Sequence, residues 1–280
     1  MTSAGLTGTL PRLEHTGRVT QLRVALSEWT KLRSVRSTRW SLGVAVLLTV
    51  GVPCLVAFVT KSHWNSMSPG DQLDRYHNRM RLATAGVNLS VLAIAVLAVL
   101  AITAEYSTGM IRASFTAVPK RLPVLWAKLG VFSLVTFALA LPSVFIAYWL
   151  NQVILHSHNP PILQAPLSDP GIFRTVIGSA IYLTVVGIFA MALGAIIRNT
   201  AGGISAFVAI FFVIPPLMNI LPTNWNNAIS KYLPDATSRA IFQLTHDSNS
   251  FSPAGGIAIF LGYCAIVVAI AAVLLLRRDT

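Results

Sequence analysis

Residues 82 to 104 read LATAGVNLSVLAIAVLAVLAITA, an unbroken apolar stretch without Asp, Glu, Lys, Arg or His. A helix crosses the hydrocarbon of a bilayer in about 20 such residues. Five more stretches share this character, at 41–60, 129–151, 175–197, 201–221 and 254–276. Backbone groups in lipid must be paired within the protein, so each stretch reads as a helix. The expected fold is an all-α membrane protein with six transmembrane helices. Composition agrees: of 280 residues, 54% are hydrophobic and 11% charged, where soluble domains carry about 25% charged residues.

What the six stretches lack bears on function. Pumps driven by a proton or ion gradient usually hold an ionisable group at membrane depth. These stretches hold none, so energy is expected to enter from outside the bilayer. The same absence of acids, bases and metal clusters argues against an intramembrane enzyme. No segment matches G-x-x-x-x-G-K-[ST], the phosphate-cradling loop of an ATPase, and neither G-x-S-x-G nor H-E-x-x-H occurs. His156, His158 and Asp169 share a loop, but an i,i+2 histidine pair without a second cluster is a weak ligand set, and no metal is expected. Cys54 and Cys264 fall inside spans and read as small buried hydrophobes. The first apolar run begins after about 40 residues and lacks a cleavage pattern, so it is expected to stay in the mature protein.

The net charge of +12 reads as membrane orientation and headgroup contact, not nucleic-acid binding. Of the 21 Lys and Arg residues, seven fall on one side of the six spans: Lys61, Arg75, Arg79, Arg81, Arg174, Lys231 and Arg239. The remaining fourteen, from the N-terminal segment, the second-to-third connection, Arg198 and the tail, lie on the other. Positive residues favour the cytoplasm, so both termini of this cell-membrane protein are expected there.

Residues 1–18 read as a flexible tail. From 19 to 39 the spacing of Leu22, Leu26, Trp29, Leu32 and Val35 predicts an amphipathic helix in the cytoplasmic interface, with Arg23, Lys31, Arg33 and Arg36 on its polar face and Glu28 paired to Lys31. An ordinary solvated helix is the alternative. The six-span region occupies 40–280. Pro53 is expected to kink the first span, and Pro69-Gly70 marks a turn before a charged, helical segment. Asn88 and Ser90 read first as interhelical hydrogen-bond partners and second as substrate contacts. Ala201, Gly202, Gly203 and Ser205 admit a close helix neighbour. Phe207, Phe211, Phe212 and Asn219 belong to an aromatic helix broken at Pro215-Pro216. Residues 222–253 are expected to fold as short interfacial or re-entrant helices.

The run from Ala104 to Arg112, AEYSTGMIR, follows an uninterrupted span. Two readings are open. Glu105, Tyr106, Gly109, Ile111, Arg112, Phe115, Lys120 and Arg121 form either a docking segment for a soluble partner or a water-capped helix end with Glu105 paired to a nearby Arg.

At this point the chain resembles the permease subunits of type-two ATP-binding-cassette exporters, the short six-span actinobacterial kind. The likeness rests on Ser27 to Ser34 (SEWTKLRS), Glu105 to Arg112 (EYSTGMIR), Ala127-Lys128-Leu129, Arg198 to Gly202 (RNTAG) and Ser230 to Pro234 (SKYLP). It implies a permease paired with a second permease chain, as a homodimer or heterodimer, and with a separate ATPase subunit holding ATP and Mg; this chain itself would hold no cofactor. The interfacial helix would be the elbow, and the connection after the second span would contain a cytoplasmic coupling helix. Glu105, Gly109, Arg112 and Phe115 would transmit force. Spans two and five, with Asn88, Phe207, Phe211 and Phe212, would line the path. The cargo expected from walls without charge is amphipathic or hydrophobic: a drug or antibiotic, a peptide or a lipid, so that the export would amount to efflux and antibiotic resistance. A secondary transporter and a non-transporting sensor or scaffold are the alternatives.

Overall fold

The computed structural model describes residues 20–77, 79–107, 121–156, 165–243 and 250–277. Among these the secondary structure is helical, without a strand. Six helices are long and apolar enough to cross a membrane: Arg36–Ser66, Met80–Tyr106, Leu122–His156, Ile172–Ile197, Thr200–Ile220 and Pro253–Arg277. The chain thus has the architecture of a multi-pass membrane protein. Most of these helices run a few residues past the apolar stretches. Leu122–His156 has 35 residues, roughly 52 Å at 1.5 Å per residue.

Side-chain size decides which spans lie inside. The fourth span is rich in small residues, Gly178, Ser179, Ala180, Gly187, Ala190, Ala192, Gly194 and Ala195, which let neighbouring backbones approach. It is the most enclosed of the six. The second span packs on one side of it, and Phe132, Phe207, Phe211 and Phe260 from the third, fifth and sixth spans complete the core. The first span packs chiefly on the second and third.

The fourth and fifth spans form a tight hairpin. Arg198 ends the fourth in a left-handed conformation, φ 58°, and Asn199 starts the fifth, its Oδ1 accepting from the Gly202 N–H at 2.9 Å. Gly203 then lies against Val99 of the second span, where an added Cβ would stand 2.8 Å from Val99 Cγ1. The fifth span does not break at its two prolines. It widens into a π-turn over Ala209–Val213 and resumes as Ile214–Leu217, which accommodates the N–H groups that Pro215 and Pro216 lack. The first span likewise runs as one helix, Arg36–His63, through Pro53.

The remaining elements lie at the two ends of the bundle. A helix at Gln21–Ser34 precedes the first span, separated from it by Val35 alone. Arg36 therefore opens the first span and does not belong to the N-terminal helix, a correction to the expected boundary at 39. We call the end that carries this helix, the start of the third span and the Arg198 turn the terminal end. At the opposite, loop end, Pro69–His77 is helical, with Asp71 N–H donating to Ser68 Oγ at 3.2 Å. The segment after the fifth span supplies Thr223–Ile229, Ser230–Tyr232 and Pro234–Arg239.

Candidate functional site

Four charged residues from three elements meet at the terminal end. Lys128 Nζ donates to Glu28 Oε2 at 2.6 Å and to Glu105 Oε1 at 2.9 Å. Lys31 Nζ donates to Glu28 Oε1 at 2.7 Å and to Glu105 Oε1 at 3.0 Å. The charges alternate around a closed, neutral ring. Glu28, Glu105 and Lys128 are buried, while Lys31 keeps part of its side chain at the surface.

Local folding explains the meeting. Lys128 lies within the first two turns of the third helix, below Val124 and Ala127, which pack against Val24 of the N-terminal helix. Val24, Glu28 and Lys31 recur at spacings of four and three and so share one helical face. That face, not the Leu22, Leu26 and Trp29 stripe, meets the protein: those three side chains are exposed. Burial would lower the Lys31 pKa, but hydrogen bonds and attraction from Glu28 and Glu105 outweigh it and hold the ammonium above its ordinary value.

The residue after Glu105 joins a second set of elements. The Arg198 guanidinium lies 5.0 Å from the centre of the Tyr106 ring, a cation–π distance, and its Nη2 donates to the Leu274 carbonyl at 3.5 Å. Two consecutive residues at the end of the second span therefore connect the N-terminal helix and third span on one side, and the fourth-to-fifth hairpin and sixth span on the other. A cleft lined by Ile102, Glu105, Tyr106, Val124, Lys128 and Leu275 opens between them.

A separate charged group sits at the loop end. Arg239 Nε and Asp235 Oδ1 are 2.7 Å apart on the short helix Pro234–Arg239, and the segment that follows sets Phe242 against Tyr182 of the fourth span, the rings tilted by 54° with centres 4.9 Å apart. This segment enters the bundle because glycine makes room. A Cβ on Gly178 would stand 2.8 Å from the Ile241 carbonyl oxygen, and one on Gly256 would stand 2.8 Å from that of Thr237. Burial pushes the Asp235 carboxyl above its ordinary range, against the opposing pull of Arg239. The spans themselves carry no carboxylate in their apolar stretches. Asp235 lies outside the six apolar stretches, at the loop end, and is partly buried there.

The expected site residues divide clearly. Glu28, Lys31 and Glu105 come together, and Tyr106 lies beside them. Trp29 and Arg33 are exposed on the N-terminal helix. Arg121 begins the third helix, whereas Gly109, Ile111, Arg112, Phe115 and Lys120 lie outside the described residues. Phe207 and Phe211 are only 1% and 2% exposed and stack at 4.5 Å. They are core residues of this chain. Ser90 is also buried, contacting Thr49 Oγ1 at 2.7 Å and donating to Ala45 O at 3.1 Å, so it joins the first two spans. Asn88 and Phe212 are half-buried, with Asn88 Oδ1 itself enclosed, and Asn219 is exposed. His158 lies outside the described residues, and among those described no three metal-binding side chains converge.

Sequence reasoning missed Lys128, Arg198, Asp235 and Arg239 as functional candidates. A lone Lys within the helical run Leu122–Gly130 and an i,i+4 acid–base pair flanked by Ala236, Ala240 and Ile241 were the available signals. No protein-family model matches the chain, and no curated protein matches it.

Proposed function

We propose that this chain is the permease subunit of an exporter driven by ATP hydrolysed in a separate subunit, and that it moves an amphipathic or hydrophobic molecule outward. The buried ring of Glu28, Lys31, Glu105 and Lys128 carries this reading. It ties the N-terminal helix to the second and third spans at the end from which residues 108–120 depart, where a soluble motor would have to grip. Displacing any one element would separate opposite charges in a confined site, so the elements move together. The Lys and Arg bias supports placing this end in the cytoplasm. A second permease chain would face the partly exposed sides of the second and fifth spans, with Asn88, Phe212 and Asn219 as path residues.

One observation favours a second reading. The carboxylate of Asp235, partly buried where the loop end meets the bundle, is a group that an ion-coupled transporter could use. Export of a fluorescent amphipathic dye from cells separates the two. ATP-driven export continues after an uncoupler collapses the ion gradient and stops on ATP depletion. Arrest by the uncoupler at constant ATP would exclude the leading proposal. Glu105→Gln, which keeps the shape of the side chain and removes its charge, is expected to leave the chain inserted and to reduce dye transported per ATP consumed.

A further inference from the structure

We infer that a cleft between the first and third spans is a binding site for a neutral alkyl alcohol drawn from the bilayer. This inference is independent of the transport reading and uses none of its path residues. One hydroxyl points to it. Buried Thr and Ser side chains within a helix usually donate to the carbonyl four residues back, and Thr49, Ser90, Thr103, Ser143 and Thr184 all make that contact. Thr136 is 2% exposed, yet its Oγ1 has no hydrogen-bond partner among the described residues. It lines a cleft whose other hydroxyls, those of Thr49 and Ser143, are already paired. A buried hydroxyl without a partner is costly in apolar surroundings, so a ligand that completes it is favoured.

Shape and surroundings select the occupant. Thr136 and Ser143 mark a groove two helical turns long on the third span, roughly 10 Å at 1.5 Å per residue. Ala45 of the first span and Ala140 of the third keep it open with small side chains, and the buried Ile94 and Leu183 form its floor. Leu139, 37% exposed, and the half-buried Val46 border its open side. These residues belong to the apolar stretches 41–60 and 129–151, so the open side faces hydrocarbon and the ligand must arrive through the membrane. No lining residue is charged, and an ionised ligand at that depth would be unpaired. A narrow aliphatic groove fits a linear alkyl chain, and Thr136 adds the demand for a polar atom on it. An alcohol can accept from that hydroxyl or donate to it, whereas the saturated tail of a lipid can do neither.

The test uses the full chain in phosphatidylcholine vesicles with a diazirine-bearing octanol as photoreactive probe, the labelled residues being located by mass spectrometry. We expect labelling within 42–49 and 136–143, suppressed about fivefold more by octanol than by octane at equal membrane concentration, since octane shares the chain and lacks the oxygen. Thr136→Val keeps the side-chain shape and removes the hydroxyl, and should lower labelling of the cleft about fivefold. Ala140→Leu, which fills the groove, should abolish it. The comparison of octanol with octane needs no variant, so it decides the matter even if a variant fails to insert. Labelling spread over every lipid-facing span, without competition, would mean partitioning into the bilayer only and would overturn the proposal. Labelling of the cleft that octane suppresses equally, or that Thr136→Val leaves unchanged, would make the groove a seat for acyl chains and overturn the choice of an alcohol.

Discussion

Glu28 and Lys128 stand 100 positions apart in the chain and meet through a buried contact of 2.6 Å. Neither has an alternative in water, so the N-terminal helix is held to the third span by charge as well as by Val24 and Val124. A buried pair is weak evidence for net stability, because removing two charges from water is costly; breaking one, however, leaves the other charge uncompensated. The ring therefore fixes geometry more than it adds free energy.

Truncating Lys128 tests that asymmetry. Lys128→Met leaves two carboxylates to share Lys31, and we expect a loss of about 3–5 kcal/mol. Lys31→Met should cost less, on the order of 1 kcal/mol, since its side chain is 30% exposed and water screens it. Neutralising the acids alongside, in E28Q/E105Q/K128M, should recover most of the Lys128 loss. Denaturant unfolding in detergent measures all three. Equal losses for the two lysine variants would show that the ring is solvated.

Asp235 gives a pH dependence of known sign. Its carboxyl is raised above the ordinary value, so the folded chain takes up a proton at a pH where the unfolded chain has not. Stability contributed by this residue rises as pH falls through the folded value toward the unfolded one, and is lost again as pH rises. Wild-type stability relative to Asp235→Asn should therefore increase on acidification from neutral toward about pH 4. A difference that stays flat, or shrinks with acid, would mean that Arg239 dominates and holds the carboxylate charged.

Hydrophobicity made the six spans legible, because a bilayer admits so few backbone solutions that length and charge suffice. The same was true of the short helices after the fifth span, whose Pro234 and apolar spacing preclude an extended loop. What could not be read was which face of a helix turns inward. On the N-terminal helix the most apolar stripe, Leu22, Leu26 and Trp29, faces away from the protein, since for a helix beside lipid the protein is not the only apolar neighbour. Phe207 and Phe211 were ambiguous for a related reason: an aromatic side chain suits a core and a substrate path equally, and only the packing of Phe211 against Phe189, Phe207 and Phe260 shows that these rings belong to the core of this chain. Lys128 was missed because its partners Glu28 and Glu105 are remote in sequence.

Close approach of the first two spans rests on Gly86. A Cβ there would collide with the Leu48 carbonyl oxygen and stand 2.7 Å from the Pro53 ring. Both are rigid, so Gly86→Ala should force the helices apart at a cost of about 1–3 kcal/mol and weaken the contact between Thr49 and Ser90. Gly130, with nothing within 4 Å of its Cβ position, is the control. Gly130→Ala should be neutral or stabilising by about 0.5–1 kcal/mol. Similar unfolding midpoints for the two variants would mean that the interface is looser than these distances require.

Adjacent phenylalanines in the fifth span should separate structure from transport. Phe211 packs among Phe189, Phe207 and Phe260, so Phe211→Ala opens a cavity and should cost about 3–5 kcal/mol. Transport per inserted molecule should change little, because nothing outside the core touches that ring. Phe212 is half-buried and meets Phe207 only edge-on at 6.5 Å. Phe212→Ala should cost on the order of 1 kcal/mol while raising the KM for an amphipathic dye, since a ring at the partly open side of this span is available to cargo. Dye export normalised to inserted protein, read beside thermal unfolding, distinguishes the two. If Phe212→Ala left the KM unchanged, the half-open face of the fifth span would be covered by lipid or by a second chain instead of lining a path.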